Sequence, residues 1–300
     1  VLYEIIVVDN GSTDGSQTVA RDNSAILLEI PDVNVGELRN IGAEHASGDF
    51  LAFIDADCTV EPDWFEAIAP YMADKQIVCF GSPPKPPANG TWVQQCWYQI
   101  RKKTCYQRKA FEVEWLESMN LLCEREAFLN IGGFDQTMIT CEDYDLCMRI
   151  AEIQPVFCDL RIVAIHHGEA RTVSEFYGKE RWRGVSNLHS LKKHGFDRSE
   201  IPSVAVPLIH LLICLLVLIG LVSVLFSSAP PLLPISGVLI WQVPLLILSF
   251  KKNGSPLPLT RIFGIVALLN VYFFARGLSL FSTASWKKST GDNVASLVFI

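Results

Sequence analysis

FLAFIDADC, residues 50–58, sets the reading of the N-terminal part of the chain. Five apolar or small residues run without a break into Asp55-Ala56-Asp57. The run reads as a fully buried strand, and carboxylates at its end are costly unless they are paired or bind a metal. Side chains at i and i+2 of an extended segment point the same way. Two carboxylates placed so repel unless a cation joins them, and oxygen ligands suit Mg²⁺ or Mn²⁺. Such ions are held by one or two carboxylates together with substrate phosphates. The pair is therefore expected to hold a divalent ion carrying a diphosphate. Three residues are a short motif, and the segments around it have to bear the reading out.

Upstream, a β-rich run at 3–8 is followed by a helical stretch at 14–23, a strand at 25–30 and a helix at 36–47 that Gly48-Asp49 stops. Downstream come a helix at 61–73 opened by Pro62 and a strand at 76–80. This β-α-β-α alternation predicts a Rossmann-like, mostly parallel sheet covered by helices, an α/β fold. Ligands of such sheets bind beyond the carboxyl ends of the strands. Asp9 and the Asp55–Asp57 segment both stand at such ends. The stretch SPPKPPANG (82–90) breaks the pattern and reads as a surface loop. Beyond it, helices are expected at 124–131 and 143–153 and a strand at 162–165.

Four further segments carry chemistry. DNGSTDGS (9–16) is built of turn and cap formers, so it is as readily structural as ligand-binding. In GGFDQTMITCEDYDLCMRI (132–150), Glu142-Asp143 opens an amphipathic helix. Acidic residues there suit the helix dipole, or one of them serves as a catalytic base. His166-His167-Gly168 follows a strand, where a histidine is either structural or a metal ligand. In FYGKERWRG (176–184), Lys179, Arg181 and Arg183 suit a phosphate and Trp182 a sugar face. The alternative for this last segment is a basic, aromatic helix lying against a membrane surface.

Half of the 300 residues are apolar, the net charge is −7 and the mean hydropathy is +0.27. A nucleic-acid partner held by bulk electrostatics is excluded on that charge. The nine cysteines are scattered and lack metal-site spacing, so they read as small buried thiols of a reducing compartment. Residues 201–250 contain no Asp, Glu, Lys or Arg. A spanning helix needs about 20 apolar residues, so the run holds two, at about 203–226 and 232–250, with a turn at 227–231. A third apolar run at 262–286 contains one charge, Arg276, which is expected to snorkel or pair. Lys192, Lys193, Arg198, Lys251, Lys252 and Arg261 flank the hairpin, and by the positive-inside rule residues 1–200 face the cytoplasm. Lys287 and Lys288 argue against a C-terminus on the far side. The expected division is a catalytic domain at 1–200 and a membrane region at 201–300. The chain starts without Met and enters a strand within three residues, which suggests a fragment of a longer protein.

Taken in order, VVDNGSTDGS (7–16), ELRNIGAEHASGDFLAFIDADC (37–58), GGFDQTMITCEDYDLCMRI (132–150) and HHG (166–168) resemble the family 2 inverting glycosyltransferases of GT-A fold. The resemblance covers residues 3–185 or so. It implies a nucleotide-sugar donor and a divalent metal, Mg²⁺ or Mn²⁺. Asp9, within the segment that also holds Asp14, would contact the nucleotide base, and Arg39 would lie near the donor. Asp55 would face the ribose or the metal and Asp57 the metal. His166 or His167 would complete the metal or diphosphate site, and Arg181 and Trp182 would lie on the donor side. Asp143, with Glu142 beside it, would be the general base. The family's first strand, with its Pro-x-Tyr-Asn-like turn, has no match here. The QxxRW motif of processive members is not met, since Gly178 stands in the Gln position. The C-terminal apolar hairpin resembles that of bacterial members acting on lipid-linked or envelope glycans, and so implies an inner-membrane enzyme with a lipid-linked or glycan acceptor. A polyprenyl phosphate acceptor, a sugar nucleotidyltransferase and a non-catalytic membrane protein are the competing readings.

Overall fold

The computed structural model describes residues 2–101, 110–227, 232–251, 258–282 and 295–299. Along the chain lie β1 (Ile5–Asp9), α1 (Ser16–Asp22), β2 (Ile26–Glu29), α2 (Val35–His45), β3 (Phe50–Asp55), β4 (Cys58–Val60), α3 (Trp64–Met72), β5 (Cys79–Gly81) and α4 (Trp92–Arg101). These are followed by β6 (Phe111–Val113), β7 (Asn120–Glu124), α5 (Arg125–Asn130), α6 (Glu142–Ala151), β8 (Val156–Cys158) and β9 (Ala164–His166). The remainder is α7 (Val173–Arg183), α8 (Asn187–Lys193), α9 (Ile201–Ser227), α10 (Leu232–Lys251), α11 (Leu259–Ser279) and β10 (Ala295–Phe299). Two compact units result. The first takes in Val1–Pro87, Cys105–Gly168 and Ser285–Ile300, and the second Ala88–Thr104 and Glu169–Ala284.

The apolar run at the end of β3 is buried because β3 lies inside an eight-stranded sheet of order β2-β1-β10-β3-β7-β5-β8-β6. Leu51 and Phe53 face a core with Ile6, Val8, Leu38, Leu121, Phe128, Phe134 and Leu146. Ala52 and Ile54 face the opposite core with Trp64, Ile68, Phe80, Leu122 and Ile162. Both faces of the strand are covered, so alternation vanishes from its sequence.

The expected mostly parallel sheet is mixed in detail. β1 pairs parallel with β2, and β5 with β8. β7 runs antiparallel between β3 and β5, β6 antiparallel to β8, and β10 antiparallel between β1 and β3. No crossover helix precedes β7 within residues 110–119, so nothing in the local chain requires it to enter parallel. β1 and β3 still share one direction. Their carboxyl ends, Asp9 and Asp55, therefore emerge on one edge of the sheet.

In the second unit, α7 packs on α11, and α9, α10 and α11 pack on one another. α9 and α11 are long and apolar enough to cross a membrane, whereas the described apolar stretch of α10 is shorter, 234–247. Arg276 is paired: its Nε and Nη2 donate to the fully buried Glu180 of α7 at 3.0 and 2.9 Å. Its Nη1 donates to the Arg183 carbonyl and to Asn187 Oδ1, both at 3.0 Å. Gln242 of α10 and Asn270 of α11 exchange amide hydrogen bonds at 2.9 and 3.0 Å. Reciprocal pairs of this kind satisfy polar groups between apolar helices. The turn expected at 227–231 falls mostly, and Lys252, Lys287 and Lys288 wholly, outside the described residues.

Candidate active site

At the end of β1, Asp9 is buried and organises its own loop. Its carboxylate accepts the backbone N–H groups of Gly11 and Ser12 at 3.1 and 3.0 Å and Gln17 Nε2 at 2.7 Å. Burial pushes the Asp9 pKa up, but the hydrogen bonds from Ser12 and Gln17 outweigh it and hold the carboxyl below its ordinary value. Asp14 is exposed and accepts from Ser16 N and Oγ at 3.0 and 2.6 Å, closing the turn into α1. Both acids therefore shape the loop.

At the end of β3 the chain turns after Asp55, so Asp55 and Asp57 are not the extended pair that spacing alone predicts. They part company. Asp55 Oδ1 accepts from Arg39 Nη2 of α2 at 2.7 Å. Asp57 Oδ2 meets His166 Nε2 at 3.1 Å. The short β4–β9 ladder makes the second contact possible, because its register sets Cys58 opposite His166 and the His167 N–H donates to the Asp57 carbonyl at 2.8 Å. Asp57, Cys58 and His166 bring one ligand atom each within 4.8 Å of one another. Burial, with the charges of Asp55 and Asp57, pushes the Cys58 thiol up. The His167 side chain, just past the end of β9, goes elsewhere: its Nε2 lies 3.0 Å from Thr59 Oγ1. Gly168 completes the cradle. A Cβ there would overlap the Asp57 carboxylate and stand 3.2 Å from His166 Nε2.

The other side of Arg39 leads to α6. Arg39 is 3% exposed, and its Nη1 donates to Glu142 Oε1 at 2.9 Å. Burial opposes its charge, but Asp55 and Glu142 outweigh burial and the guanidinium is held above its ordinary value. One buried cation thus ties the end of β3 to the first turn of α6. Phe134 lies under it, 5.4 Å from ring centroid to guanidinium.

Beside Glu142, Asp143 is only partly covered. Burial, then the charges of Glu142 and Glu117, push its carboxyl from 3.8 up to about 7, against the opposing pull of Tyr144 N–H and Arg39. A carboxyl at that value is poised to exchange protons near neutral pH.

The approach of α6 rests on contacts that no local pattern announced. Asn40 of α2 receives the Phe134 N–H and donates to the Phe134 carbonyl, both at 2.8 Å. Gly133 has φ +65, and a Cβ there would overlap Asn40 Oδ1, so only glycine fits. Asp145, fully buried, receives Arg149 Nε at 2.9 Å, and Arg149 in turn donates to the carbonyls of Ile131 and Gly133. Behind β3, Trp64 Nε1 donates to Asn120 Oδ1 at 3.0 Å, while Asn120 Nδ2 donates to the Ser82 and Ile162 carbonyls. Arg181 and Trp182 belong to the second unit, where both are exposed on α7.

Residues 2–132 match the family described as glycosyl transferase family 2. The chain is 44% identical over 70 residues to Glycosyltransferase AglE of Haloferax volcanii, covering 21% of this chain and 23% of that protein. It is 27% identical over 172 residues to a glucosyl-dolichyl phosphate glucuronosyltransferase of the same organism, covering 50% of this chain and 53% of that one. The chain thus spans about a quarter to a half of the length of these relatives. Among solved structures, a mannosyltransferase of Pyrobaculum calidifontis in complex with GDP-Man and Mn²⁺ superposes with a TM-score of 0.62 at 15% identity, covering 95% of this chain and 79% of that one. At that identity the likeness speaks for the fold.

Proposed function

Because the chain carries a family 2 glycosyltransferase domain with a GT-A fold, we propose that it transfers a sugar with inversion from a nucleoside-diphosphate sugar to a lipid-linked or envelope-glycan acceptor at a membrane. The observation that carries this reading is Arg39. It holds the carboxyl end of β3 and the first turn of α6 together, so the expected donor site and the expected base belong to one constellation.

In this reading Asp143 is the base. It takes the proton of the acceptor hydroxyl as that oxygen forms its bond to the anomeric carbon, and the bond from that carbon to the diphosphate oxygen breaks. The nucleoside diphosphate leaves with the bonding electrons. Attack from the opposite face inverts the anomeric centre. Glu142 is committed to Arg39 and acts as a positioning residue. Asp57 and His166 would hold the divalent ion, with Asp55 alongside. An oxygen and an imidazole nitrogen suit Mn²⁺ better than Mg²⁺. When bound, such an ion supplies Lewis acidity to the departing diphosphate. Asp9 and Asp14 serve the donor by fixing the loop, and Arg181 and Trp182 remain candidate donor contacts.

The membrane part of the proposal is supported by α9 and α11, by the basic residues around the apolar run, and by a relative whose name specifies a dolichyl phosphate-linked glucose. On the positive-inside rule the catalytic domain is placed on the cytoplasmic side of the inner membrane.

The test is a screen of nucleotide sugars with a membrane-lipid extract as acceptor source, following nucleoside-diphosphate release with Mn²⁺, with Mg²⁺ and with EDTA. Release from one donor, abolished by EDTA and lowered at least 100-fold in Asp57→Ala, is the expected result. Pyrophosphate release in its place would reassign the chain to sugar-nucleotide synthesis. No release from any donor by the folded protein would sink the transferase reading. Gly168→Ala is expected to weaken Mn²⁺ binding by about 10- to 100-fold, as loss of a ligand's supporting geometry commonly does. Mn²⁺ titration followed by electron paramagnetic resonance measures this directly, without turnover.

A further inference from the structure

The segment joining α8 to α9 holds a bulky side chain in a conformation that costs energy and leaves it in water. Gly195 and Phe196 have φ of +65 and +62. The left-handed region is natural for glycine and strained for a bulky residue. The turn is nevertheless closed, with the Phe196 N–H donating to the Leu191 carbonyl at 2.8 Å. Phe196 is 60% exposed, so its ring gains nothing from a core.

The acids of the same segment are engaged locally, although Asp197 is itself exposed. Its acids turn inward or into local turns: Glu200 is buried and accepts from Ser190 Oγ at 2.7 Å and pairs with His194, and Asp197 accepts Ser199 N and Oγ at 2.7 and 2.6 Å. Its bases, Lys192, Lys193 and Arg198, all lie exposed. Five residues after Phe196 begins α9, whose apolar side chains Ile209, Leu212, Leu215 and Leu218 are about half exposed. An exposed apolar helix, an exposed aromatic ring at its entry and exposed bases within four residues of that ring in the chain follow the order of a bilayer met from the aqueous side.

We propose that the α8–α9 turn is an anionic-phospholipid site, in which the Phe196 ring enters the interfacial layer and Lys192, Lys193 and Arg198 hold the headgroup phosphates. The strained backbone of Phe196 is then offset by burial of its ring in lipid. This rests on the reading of α9 as a membrane helix. Each base near a charged surface is worth about 1 kcal/mol, or roughly fivefold in local lipid affinity at low salt. Screening by salt acts within a Debye length of about 10 Å at 0.1 M, so the preference falls as salt rises.

The full chain is reconstituted in phosphatidylcholine bilayers with 30 mol% phosphatidylglycerol, and the relative association of spin-labelled phosphatidylglycerol over phosphatidylcholine is read from the motionally restricted fraction. Carbonate extraction of the same membranes reports whether the chain is inserted. The wild type is expected to favour phosphatidylglycerol at least threefold, Lys192→Gln/Lys193→Gln/Arg198→Gln to fall to near unity, and 1 M salt to remove the preference from the wild type. Phe196→Ala is expected to lower it about twofold. An inserted wild type with no preference, or one whose preference survives both the triple variant and high salt, overturns the proposal and leaves the catalytic reading standing. A chain extracted by carbonate overturns this proposal together with the membrane reading beneath it.

Discussion

Asp143→Asn is expected to lower kcat by about 10²- to 10⁴-fold with the donor KM little changed, the range that general-base removal commonly gives. The parent should show a kcat/KM that rises with slope one and levels off around pH 7, the value to which burial and the neighbouring Glu142 and Glu117 push this carboxyl. The variant should lose that limb. Stability moves the opposite way. A carboxyl raised from 3.8 to about 7 favours the folded state while it is protonated, so its contribution is full below pH 4 and is lost as pH rises through 7. The asparagine variant, freed of that repulsion, should melt no lower than the parent at pH 8. Lost turnover in a protein that melts normally then reports chemistry rather than folding. A variant that keeps more than a tenth of the parent's activity would remove Asp143 from the role of base. It would also favour a polyprenyl phosphate acceptor, whose oxygen is already ionised and needs no base.

Arg39→Ala is expected to destabilise the first unit by about 3–5 kcal/mol, the usual cost of removing one partner from a buried ion pair. The loss is large because two acids depend on this cation. Asp55 at 2.7 Å and Glu142 at 2.9 Å would both be left facing a cavity, with Asp143 close by. Arg39→Lys should recover little, since an ammonium has no planar fork with which to reach two carboxylates from one position. Arg39→Met with Glu142→Gln should recover part of the loss, because the double change removes one stranded charge. Denaturant midpoints in detergent, measured for the parent, Arg39→Met, Glu142→Gln and the double variant, give the coupling. Equal midpoints for Arg39→Ala and the parent would show that the triad contributes nothing to stability and would take away the link between the two halves of the site.

Much of the fold could be read locally. The apolar run before Asp55, the caps and turns around DNGSTDGS and the uncharged stretch at 201–250 each impose a periodicity or a length that only one kind of element satisfies. The order of these segments was enough to indicate the family. The short strands β4, β6, β7 and β8 were not legible in that way. Three to five residues carry too little periodicity to distinguish a strand from a loop, and their places are fixed by partners distant in sequence.

The same division holds for the candidate site. The sequence by itself determined which residue types stand at the strand ends and at the start of α6, because local chain geometry dictates those positions. Only the tertiary structure decided how they pair. Asp55 goes to Arg39 and Asp57 to His166 because the chain turns between them, and the His166 rather than the His167 side chain meets the Asp57 carboxylate because the β4–β9 register selects one face of the strand. Arg276 finds Glu180 across 96 residues for the same kind of reason. An ion pair is made by distance in space, and spacing along the chain sets that distance only within a single regular element.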